Sequence, residues 1–432
     1  MNHPALQLYT IIAPIALGMA RLISPLHPKL NTFFSLRKGL FNNLENTVSK
    51  LPTSTFRLWV HAASVGEFEQ ARPIIAALKA EHPKLTLFVS FLSDSGYNAR
   101  KNFADADAVF YLPTDTRSNA KKLLALLEPD LLLLMRYDFW PNHLIEAKKR
   151  GTTLILAAAV LQQDSHYFKP FAKSFYRPLF HLFDHIYTVS EKDALAFREN
   201  FGCKQVEKAG DPRFDQVALR SKNTAKVEHL RHFFEHRTVL VAGSVWDRDE
   251  ALLLPAWQEL AEQPVLVLVP HQVDPDNMAR LYRELRNREI DFVPVSALNG
   301  NFNPEKQILV IDQIGYLVEL YSIASMAYVG GGFGVNVHNT LEPAVYGIPV
   351  IFGPRHHNSP EAEGLLAAGG ALLVQSQQEL SGAINQLTTN AMKREKIGKS
   401  AGSFVQQQSG ATAIITESIE SYVIRRTREA RV

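Results

Sequence analysis

The feature that most constrains the fold is a glycine-rich segment late in the chain, at residues 326–354. An apolar run at 326–329 predicts a buried strand that enters a glycine turn at 330–334. We expect a short helix at about 339–346, which Gly347-Ile348-Pro349 ends before a second apolar strand at 350–352. Strand, glycine loop, helix and strand in this order are typical of a phosphate-binding βαβ unit.

The residues of this segment suit a nucleotide ligand. Gly331 and Gly332 would let the backbone approach a ligand without Cβ clashes, and free N–H groups at the helix start would face an anion. His338 could donate a hydrogen bond to a phosphate, and Glu342 could accept from ribose hydroxyls. The alternative is structural, since Asn339-x-x-Glu342 also fits a capping box and three glycines can form a simple tight turn.

Composition limits the possible partners. The chain has 432 residues, enough for two to three domains, and its formal net charge of +3 does not predict a nucleic-acid partner. The single cysteine, Cys203, excludes an intramolecular disulfide and has no cysteine or histidine cluster beside it that would make a zinc site. Asp274-Pro275-Asp276 superficially matches a metal motif but is predicted to be a turn, so neither a metal nor another cofactor is expected.

An acidic residue follows the first strand predicted in the chain, at residues 57–62. The next residues include Ser64, Gly66 and Glu67 and lead into a helix that should reach about residue 80. Ser64-x-x-Glu67 fits a capping box, which favours a structural role for the carboxylate. The functional alternative places Glu67 at the carboxyl end of a parallel strand, where open α/β sheets bind ligands and a carboxylate can take a proton from an attacking hydroxyl.

Strands and helices alternate through the first half of the chain and predict the α/β class. Continuous apolar runs indicate parallel strands covered on both faces, at 85–90, 108–111, 130–135, 153–158, 186–189 and 206–208. Several polar residues fall directly after such strands, namely Ser93, Ser95, Arg136, Asp138 and Ser190. Their shared position suggests a site, although polar loop residues are often simply solvated.

A domain junction is predicted at residues 210–215, where Arg213 could reach a phosphate or carboxylate or lie on the surface. The second half begins with a strand at 237–242 and a small-residue turn that contains Ser244. Further strands are expected at 265–269, 292–295, 308–311 and 371–374, and His271 follows the first of these. We therefore predict Rossmann-like domains at 34–215 and 216–405, with a C-terminal helix and basic tail at 406–432 that packs on the N-terminal domain.

The N-terminal segment, residues 1–33, is expected to associate with a membrane. Residues 6–20 carry no charged side chain, but this run is short for a membrane span and lacks the features of a signal peptide. Arg21, Lys29, Arg37 and Lys38 follow it and predict that the rest of the chain stays in the cytoplasm. The alternative is an amphipathic helix buried against the globular body.

The order and spacing of several motifs make the chain similar to a known family. These motifs are His61-Ala-Ala-Ser-Val-Gly-Glu67, Asp138-Phe-Trp-Pro141, Gly210-Asp-Pro-Arg-Phe-Asp215 and Val329-Gly-Gly-Gly followed by His338-Asn-Thr-Leu-Glu-Pro343, with Asn358 beyond. Over nearly its whole length the chain resembles the 3-deoxy-D-manno-octulosonic acid (Kdo) transferases of lipopolysaccharide assembly. The resemblance implies a GT-B fold, in which two Rossmann-like α/β domains face each other across a cleft.

The resemblance also implies an inverting transfer of Kdo from CMP-Kdo to a lipid A precursor, an acylated glucosamine disaccharide, at the cytoplasmic face of the inner membrane. Glu67 matches the family's general base. The positions that match the donor-binding residues are Arg213, Ser244, His271, Gly331, Gly332, His338, Asn339 and Glu342. The candidates for support of the acceptor or the transition state are Ser64, Gly66, Ser93 and Asp138.

Two positions depart from the family pattern. Arg136 stands where many members carry an acidic residue, and Pro270-His271-Gln272 stands where many have Pro-Arg-His, so that His271 replaces a phosphate-binding arginine. Two other interpretations stay open. One is another GT-B enzyme, such as a different lipid-linked sugar transferase or a UDP-sugar 2-epimerase, and the other is a non-catalytic, membrane-attached module that binds a nucleotide sugar and uses Glu67 only as a helix cap.

Overall fold

The structure of the protein is a computed structural model. It describes residues 3–52, 56–161, 165–300 and 302–429, with residues 426–429 described by their backbone alone. The predicted basic side chains beyond Arg425 therefore lie outside the described residues. The chain forms two compact units, residues 1–216 together with 409–432, and residues 217–408.

The first unit is built on a sheet of seven strands, all paired in parallel. The strands are β1 (Arg57–Ala62), β2 (Thr86–Phe91), β3 (Ala108–Tyr111), β4 (Leu131–Met135), β5 (Thr153–Ala159), β6 (His185–Thr188) and β7 (Val206–Lys208). Each lies within a residue or so of an apolar run that predicted it. Alternate residues of a strand enter different cores, since Leu58 and Val60 pack in one cluster and Trp59 in the other.

Helices cover both faces of this sheet. They are α1 (Pro4–Ile23), α2 (Pro28–Ser35), α3 (Leu40–Val48), α4 (Val65–Glu81), α5 (Asp94–Arg100), α6 (Arg117–Leu127), α7 (Pro141–Lys149), α8 (Pro170–Phe180), α9 (Glu191–Phe201) and α10 (Pro212–Arg220), in which the division between the units falls.

The second unit has a parallel sheet of seven strands as well. Its strands are β8 (Val239–Val245), β9 (Val265–Pro270), β10 (Phe292–Pro294), β11 (Ile308–Val310), β12 (Met326–Val329), β13 (Val350–Phe352) and β14 (Ala371–Leu373). Its helices are α11 (Arg231–Phe234), α12 (Asp247–Gln258), α13 (Pro275–Asn287), α14 (Leu317–Leu320), α15 (Leu341–Ala344), α16 (Pro360–Ala367), α17 (Gln377–Thr389) and α18 (Ala391–Gln408).

The last helix, α19 (Ala411–Glu429), returns to the first unit. It contacts α4, and its residues Ile415 and Ile419 are fully buried in the same cluster as Leu58 and Val60. At its start, the carboxylate of Asp215 accepts hydrogen bonds from the backbone N–H groups of Gly410 and Thr412, at 2.6 and 2.7 Å. The second unit is thus inserted, in sequence terms, between two parts of the first.

Strand order decides where each sheet can bind a ligand. The first sheet runs β3-β2-β1-β4-β5-β6-β7, so the chain leaves β1 toward one edge and returns on the other side at β4. The second runs β10-β11-β9-β8-β12-β13-β14 and reverses between β8 and β12. Open α/β sheets bind ligands at the carboxyl ends of the strands that flank such a reversal. Ligand sites are therefore expected in the segments that follow β1, β4, β8 and β12.

Two local predictions of the second unit are wrong. Gly243 and Ser244 do not form a turn, because they lie inside β8, where the register against β9 shifts and Ser244 adopts a φ of 53°. The helix expected at 339–346 is only α15, and its N-cap is Thr340 rather than Asn339. Gly347, with a φ of 69°, turns the chain soon after α15 begins, so only a single helical turn forms.

The N-terminal helix α1 lies against the first unit along one face. Leu6 and Ala13 are buried, and the Tyr9 hydroxyl donates a 2.9 Å hydrogen bond to Asp115. Within the described residues, Pro4–Leu26 is the one helical segment long and apolar enough to cross a membrane. Its other faces are apolar and between 50% and 88% exposed at Leu8, Ile11, Ile12, Ile15, Met19, Leu22, Ile23 and Leu26.

Candidate active site

The end of β1 and the start of α4 place Glu67 at the reversal point of the first sheet. Ser64 is the N-cap of α4, and its hydroxyl accepts a 3.4 Å hydrogen bond from the N–H of Glu67. The Glu67 carboxylate accepts from the N–H of Ala63 at 2.6 Å. In a strict capping box, the carboxylate would accept from the N–H of the N-cap residue, Ser64. Here it accepts from the residue before it, Ala63, and so lies closer to the end of β1.

Glu67 is half-buried, and this burial raises the pKa of its carboxyl group. The hydrogen bond from Ala63 acts in the opposite direction, while the neighbouring Asp138 carboxylate raises the pKa further. Attraction to His61 and Arg136 lowers it, but the net direction remains upward. A carboxylate with a raised pKa is a stronger base, so this position can accept a proton from a hydroxyl group.

The loop after β4 brings Asp138 to the same place. Its carboxylate lies 2.8 Å from Nε2 of His61, which is buried on β1, and His61 Nδ1 lies 2.8 Å from the Ser90 hydroxyl on β2. Because a carboxylate only accepts, Nε2 carries the proton. Burial would raise the pKa of Asp138, but hydrogen bonding and attraction to His61 lower it below its usual value. Neighbouring carboxyl groups with pKa values pushed apart are typical of acid–base sites.

A second polar network lies beside this one and holds two arginines. Arg136 follows β4 with a φ of 62°; its Nε donates to Gln70 at 3.0 Å, and its guanidinium lies 3.6 Å from Asp211. Arg213 donates to the same Asp211 carboxylate at 2.8 and 2.9 Å. Burial would raise the pKa of Asp211, but Arg213 and the other donors lower it. Arg213, expected to bind the donor, therefore lies in the first unit on a buried carboxylate.

Of the remaining candidates of the first unit, Ser93 is a local cap and Gly66 leaves open space. Ser93 is the N-cap of α5, where its hydroxyl accepts from the N–H of Gly96 at 3.1 Å. Its own N–H donates to the Ala63 carbonyl at 3.1 Å, which fastens the loop after β2 to the loop that carries Glu67. A Cβ at Gly66 would meet nothing closer than the Ser64 hydroxyl, 4.0 Å away, so the space beside Gly66 is open.

In the second unit, the glycine loop lies at the reversal point between β8 and β12. Gly331 has a φ of 91°, and a Cβ there would lie 2.1 Å from the Asn336 carbonyl oxygen. A Cβ at Gly332 would lie 2.6 Å from the backbone nitrogen of Gly353. The two glycines are thus required by the close packing of the loop on itself and on the segment after β13.

A buried carboxylate holds this loop. Asp249, in the first turn of α12, accepts from the N–H of Gly331 at 2.8 Å, from Trp246 N–H at 3.0 Å and from the Tyr328 hydroxyl at 2.7 Å. The N–H of Gly331 therefore already has an acceptor within the protein. The N–H groups of Gly332 and Phe333 have no acceptor in the described part of the chain and are the amides that could face an anion.

Three aromatic rings stack next to the loop. The Trp246 Nε1–H donates to His338 Nε2 at 2.8 Å, so these two rings are nearly coplanar, and His271 lies over both at centroid distances of 4.5 and 4.3 Å. Since Trp246 can only donate, a neutral His338 carries its proton on Nδ1. Burial lowers the pKa of both histidines, and their mutual repulsion lowers that of His338 further.

Asn339 directly follows His338 in the chain, and Glu342 lies in the short helix α15. The Asn339 amide donates to Glu342 at 3.2 Å and its oxygen accepts from the N–H of Leu341 at 3.1 Å. Arg220 lies 3.6 Å from the Glu342 carboxylate. The pair is thus already joined before any ligand binds, and Glu342 keeps a largely buried side chain at 15% exposure.

Two arginines beside the loop were not identified from the sequence. Arg355 donates to the Gly334 carbonyl, and its backbone N–H donates to Gly332 at 2.9 Å. Arg248, at the start of α12, has its Cδ 3.6 Å from where a Cβ of Gly334 would lie, and no hydrogen bond or ion pair of its guanidinium is found in the described residues. Arg248 lies far from the loop along the chain, so only the strand order brings it there, and Arg355 directly follows the glycine-rich segment without a motif that marks it.

Comparison with known proteins identifies the family. Residues 34–216 match the family model of 3-deoxy-D-manno-octulosonic-acid transferases (kdotransferases). A 3-deoxy-D-manno-octulosonic acid transferase of Haemophilus influenzae is 25% identical over 97% of this chain and 98% of its own length. The transferase of the same description from Aquifex aeolicus is 30% identical over 76% of this chain and 85% of its own length.

Solved structures show the same fold at low identity. A UDP-GlcNAc 2-epimerase from Neisseria meningitidis superposes with a TM-score of 0.58 at 17% identity, covering 85% of this chain and all of that chain. A glycosyltransferase from Rickettsia africae superposes with a TM-score of 0.53 at 12% identity, covering 85% of this chain and 97% of that one. The GT-B class expected from the sequence is confirmed for the two Rossmann-like units, and by its relatives the chain belongs to the 3-deoxy-D-manno-octulosonic-acid (Kdo) transferase family of glycosyltransferases.

Proposed function

We propose that the protein transfers Kdo from CMP-Kdo to a lipid A precursor, an acylated glucosamine disaccharide, with inversion at the anomeric carbon. In one displacement, the acceptor oxygen forms the bond to the anomeric carbon while the bond from that carbon to the CMP phosphate breaks. The acceptor proton passes to the protein, and CMP leaves as a phosphate monoester. The observation that carries this proposal is the position of the Glu67 carboxylate at the end of β1, beside Asp138 and His61, in a chain whose relatives are Kdo transferases.

Glu67 is the general base of this reaction. Its position beside Asp138 and His61 supports the assignment, because Asp138 is kept ionised while Glu67 gains basicity from burial and from the neighbouring negative charge. Asp138, locked onto His61 at 2.8 Å, is a positioning residue that holds this charge in place. Ser64 and Ser93 fix the backbone of the two loops that carry the site.

The donor binds at the glycine loop of the second unit. The N–H groups of Gly332 and Phe333 and the cation of Arg248 would stabilise the phosphate of the leaving CMP. His338 has Nε2 occupied by Trp246 and so offers its Nδ1–H. The Asn339–Glu342 pair would accept from the ribose hydroxyls. His271 stacks on Trp246 and His338. We therefore assign it to packing these two rings beside the donor rather than to binding phosphate in place of an arginine.

The N-terminal helix attaches the protein to the cytoplasmic face of the inner membrane. Because Leu6, Tyr9 and Ala13 fix α1 to the first unit, lipid cannot surround this helix on all sides. We propose that α1 lies in the membrane surface, with its exposed apolar face toward the acyl chains and Arg21 and Lys29 toward the lipid headgroups.

The test is a transfer assay with purified protein, CMP-Kdo and a tetra-acylated lipid A precursor, read by product mass, with and without EDTA. We expect product carrying one or more Kdo units in both conditions. The anomeric configuration of the new linkage, determined by NMR, is expected to be opposite to that of CMP-Kdo. Binding of CMP without any transfer to this acceptor would contradict the acceptor assignment, and retention of configuration would contradict a single displacement.

A structural role for Glu67 is the alternative that the geometry favours most, since its carboxylate, in the first turn of α4, accepts from the N–H of Ala63, which precedes the N-cap residue. Glu67→Gln separates the two roles, because the amide oxygen of glutamine can still accept that hydrogen bond but cannot act as a base. Lost turnover with intact folding supports the base. Retained turnover supports the cap.

A further inference from the structure

A histidine–histidine–glutamate cluster lies outside the residues assigned to the reaction. His356 and His357 follow β13, and Glu363 lies in α16, so that one ligand atom from each lies within 4.8 Å of the other two. The same carboxylate oxygen of Glu363 lies 3.0 Å from His356 Nδ1 and 2.7 Å from His357 Nδ1. Two imidazole nitrogens thus converge on one carboxylate.

One ring nitrogen of the buried histidine of this cluster lacks a hydrogen bond within the described residues. His356 is 3% exposed, and among the described residues its Nδ1 has no hydrogen-bond partner, because the contact with Glu363 is close but poorly aligned. A buried polar nitrogen without a partner is costly to the fold. A cation held by this nitrogen and by Glu363 would remove that cost.

The backbone around the cluster is held in a fixed shape. The N–H of His356 donates to the Pro354 carbonyl at 3.1 Å, and the N–H of Ser359 donates to the His356 carbonyl at 2.8 Å. Ser359 then caps α16 through its hydroxyl, and the N–H of Glu363 donates to the Ser359 carbonyl at 3.2 Å. The three side chains are therefore presented by one tight turn and the helix that it starts, which is the preorganisation that a metal site requires.

We propose that His356, His357 and Glu363 bind one Zn²⁺ ion, with water completing the coordination. Two imidazoles and a carboxylate are ligands that zinc accepts, whereas Mg²⁺ and Ca²⁺ prefer oxygen ligands alone. The outer part of the cluster is open to solvent, since the side chains of His357 and Glu363 are 82% and 45% exposed. The ion would enter from this side and leave a position for water.

The bound ion would act as a clamp on the turn at 354–359. Arg355 lies in this turn and donates to the Gly332 and Gly334 carbonyls of the glycine loop. Fastening His356 and His357 to α16 would therefore stiffen a neighbour of that loop. Zinc binding at this turn and its effect on stability do not depend on which sugar the protein transfers.

Zinc binding can be measured on the full chain after treatment with a chelator. We expect calorimetric titration with ZnCl₂ to show one equivalent bound, no uptake of Mg²⁺ at the same concentration, and a zinc-dependent rise of Tm. His357→Ala and Glu363→Gln affect exposed side chains, so both should fold, and each should weaken zinc binding by at least about tenfold and abolish the rise of Tm. Replacement by Co²⁺ should give a visible absorption band that both variants lose.

Matched controls are His229→Ala and Glu395→Gln, which remove an exposed histidine and an exposed glutamate of the same unit. Both should bind zinc as the unmodified chain does. Substoichiometric uptake by the unmodified chain would overturn the proposal. Binding that His357→Ala and Glu363→Gln leave unchanged would overturn it too, because the ion would then lie elsewhere.

Discussion

The two reversal points of the sheets hold their polar groups in different ways. At the end of β1 and β4, ionisable side chains contact one another: Glu67 is near Asp138, which is bonded to His61. At the end of β8 and β12, glycine backbone packs on backbone, and the ring pair of Trp246 and His338 is uncharged. The first arrangement raises the pKa of one carboxyl group and lowers that of another, whereas the second packs the loop tightly on neighbouring backbone, where we propose that an anion binds.

This difference has a physical origin. A group that must take a proton needs a pKa set by burial and neighbouring charge, which side chains provide. A phosphate needs N–H groups and cations at short range, and only backbone free of Cβ atoms can come close enough to another backbone to form such a loop. Substitutions in the two regions should therefore fail in different ways, with chemistry lost in the first and binding or folding lost in the second.

The largest effect is expected for Glu67→Gln. The variant should lose about 10²- to 10⁴-fold in kcat, the range associated with general base catalysis. Its fold should be at least as stable at neutral pH. Because the pKa of Glu67 is raised in the folded state, ionisation of this carboxyl group destabilises the fold at pH values above the ordinary glutamate pKa. Glutamine carries no charge and so removes this cost. Single-turnover transfer and thermal unfolding measure the two effects, with Glu81→Gln at the end of the same helix as the control.

Gly331→Ala should act through the backbone of the second unit. Alanine is strained at a φ of 91°, and its Cβ would overlap the Asn336 carbonyl oxygen at 2.1 Å. We expect a loss of about 1–3 kcal/mol in the free energy of unfolding, together with weaker CMP binding. Gly382→Ala is the matched control, because a Cβ there meets nothing within 4 Å and the helix α17 should gain up to about 1 kcal/mol. Equal stability of the two variants would contradict the packing role of Gly331.

Arg248→Ala tests whether a cation beside the glycine loop binds the phosphate. Removing a charged donor to the ligand costs about 1.5–3 kcal/mol, so the Kd for CMP should rise roughly ten- to hundredfold. Titration calorimetry measures this change. Arg283→Ala, an exposed arginine on α13 of the same unit, should leave the Kd unchanged. A Kd that Arg248→Ala does not alter would remove this residue from the donor site.

The pH profile should report Glu67 directly. A base with a raised pKa becomes protonated at higher pH than an ordinary glutamate, for which the value is about 4.3, so kcat/KM should fall on acidification with an apparent pKa above that value. Asp138 has a lowered pKa and stays ionised over this range. In Glu67→Gln the residual rate should lose this acid limb. An unchanged limb in the variant would assign it to another group.

The smallest effect is expected for Trp246→Phe. Phenylalanine keeps an aromatic ring under His271 but cannot donate to His338 Nε2, so the tautomer of His338 is no longer fixed. Loss of one neutral hydrogen bond, about 1 kcal/mol, should raise the Kd for CMP roughly fivefold. Trp257→Phe is the control, since the Nε1–H of Trp257 donates to the Pro264 carbonyl at 2.8 Å elsewhere in the unit.

The sequence predicted the strands well because apolar runs such as 131–135 and 265–269 can only be buried, and fully buried runs of that length form parallel strands. It also selected Glu67 and the glycine loop, which follow such strands. It did not predict that β4 lies beside β1 or β12 beside β8, because pairing between distant strands leaves no local pattern. For the same reason it missed Asp249, whose side chain occupies the N–H of Gly331.

The most direct test compares donor binding with turnover in Glu67→Gln and Gly331→Ala, using CMP-Kdo and the lipid A precursor. We predict that Glu67→Gln binds CMP-Kdo as tightly as the unmodified protein and transfers Kdo at least about 10²-fold more slowly. Gly331→Ala should bind CMP-Kdo more weakly. If Glu67→Gln instead lost donor affinity while bound donor was still transferred at the normal rate, Glu67 would belong to donor binding and the division between the two sheets would be wrong.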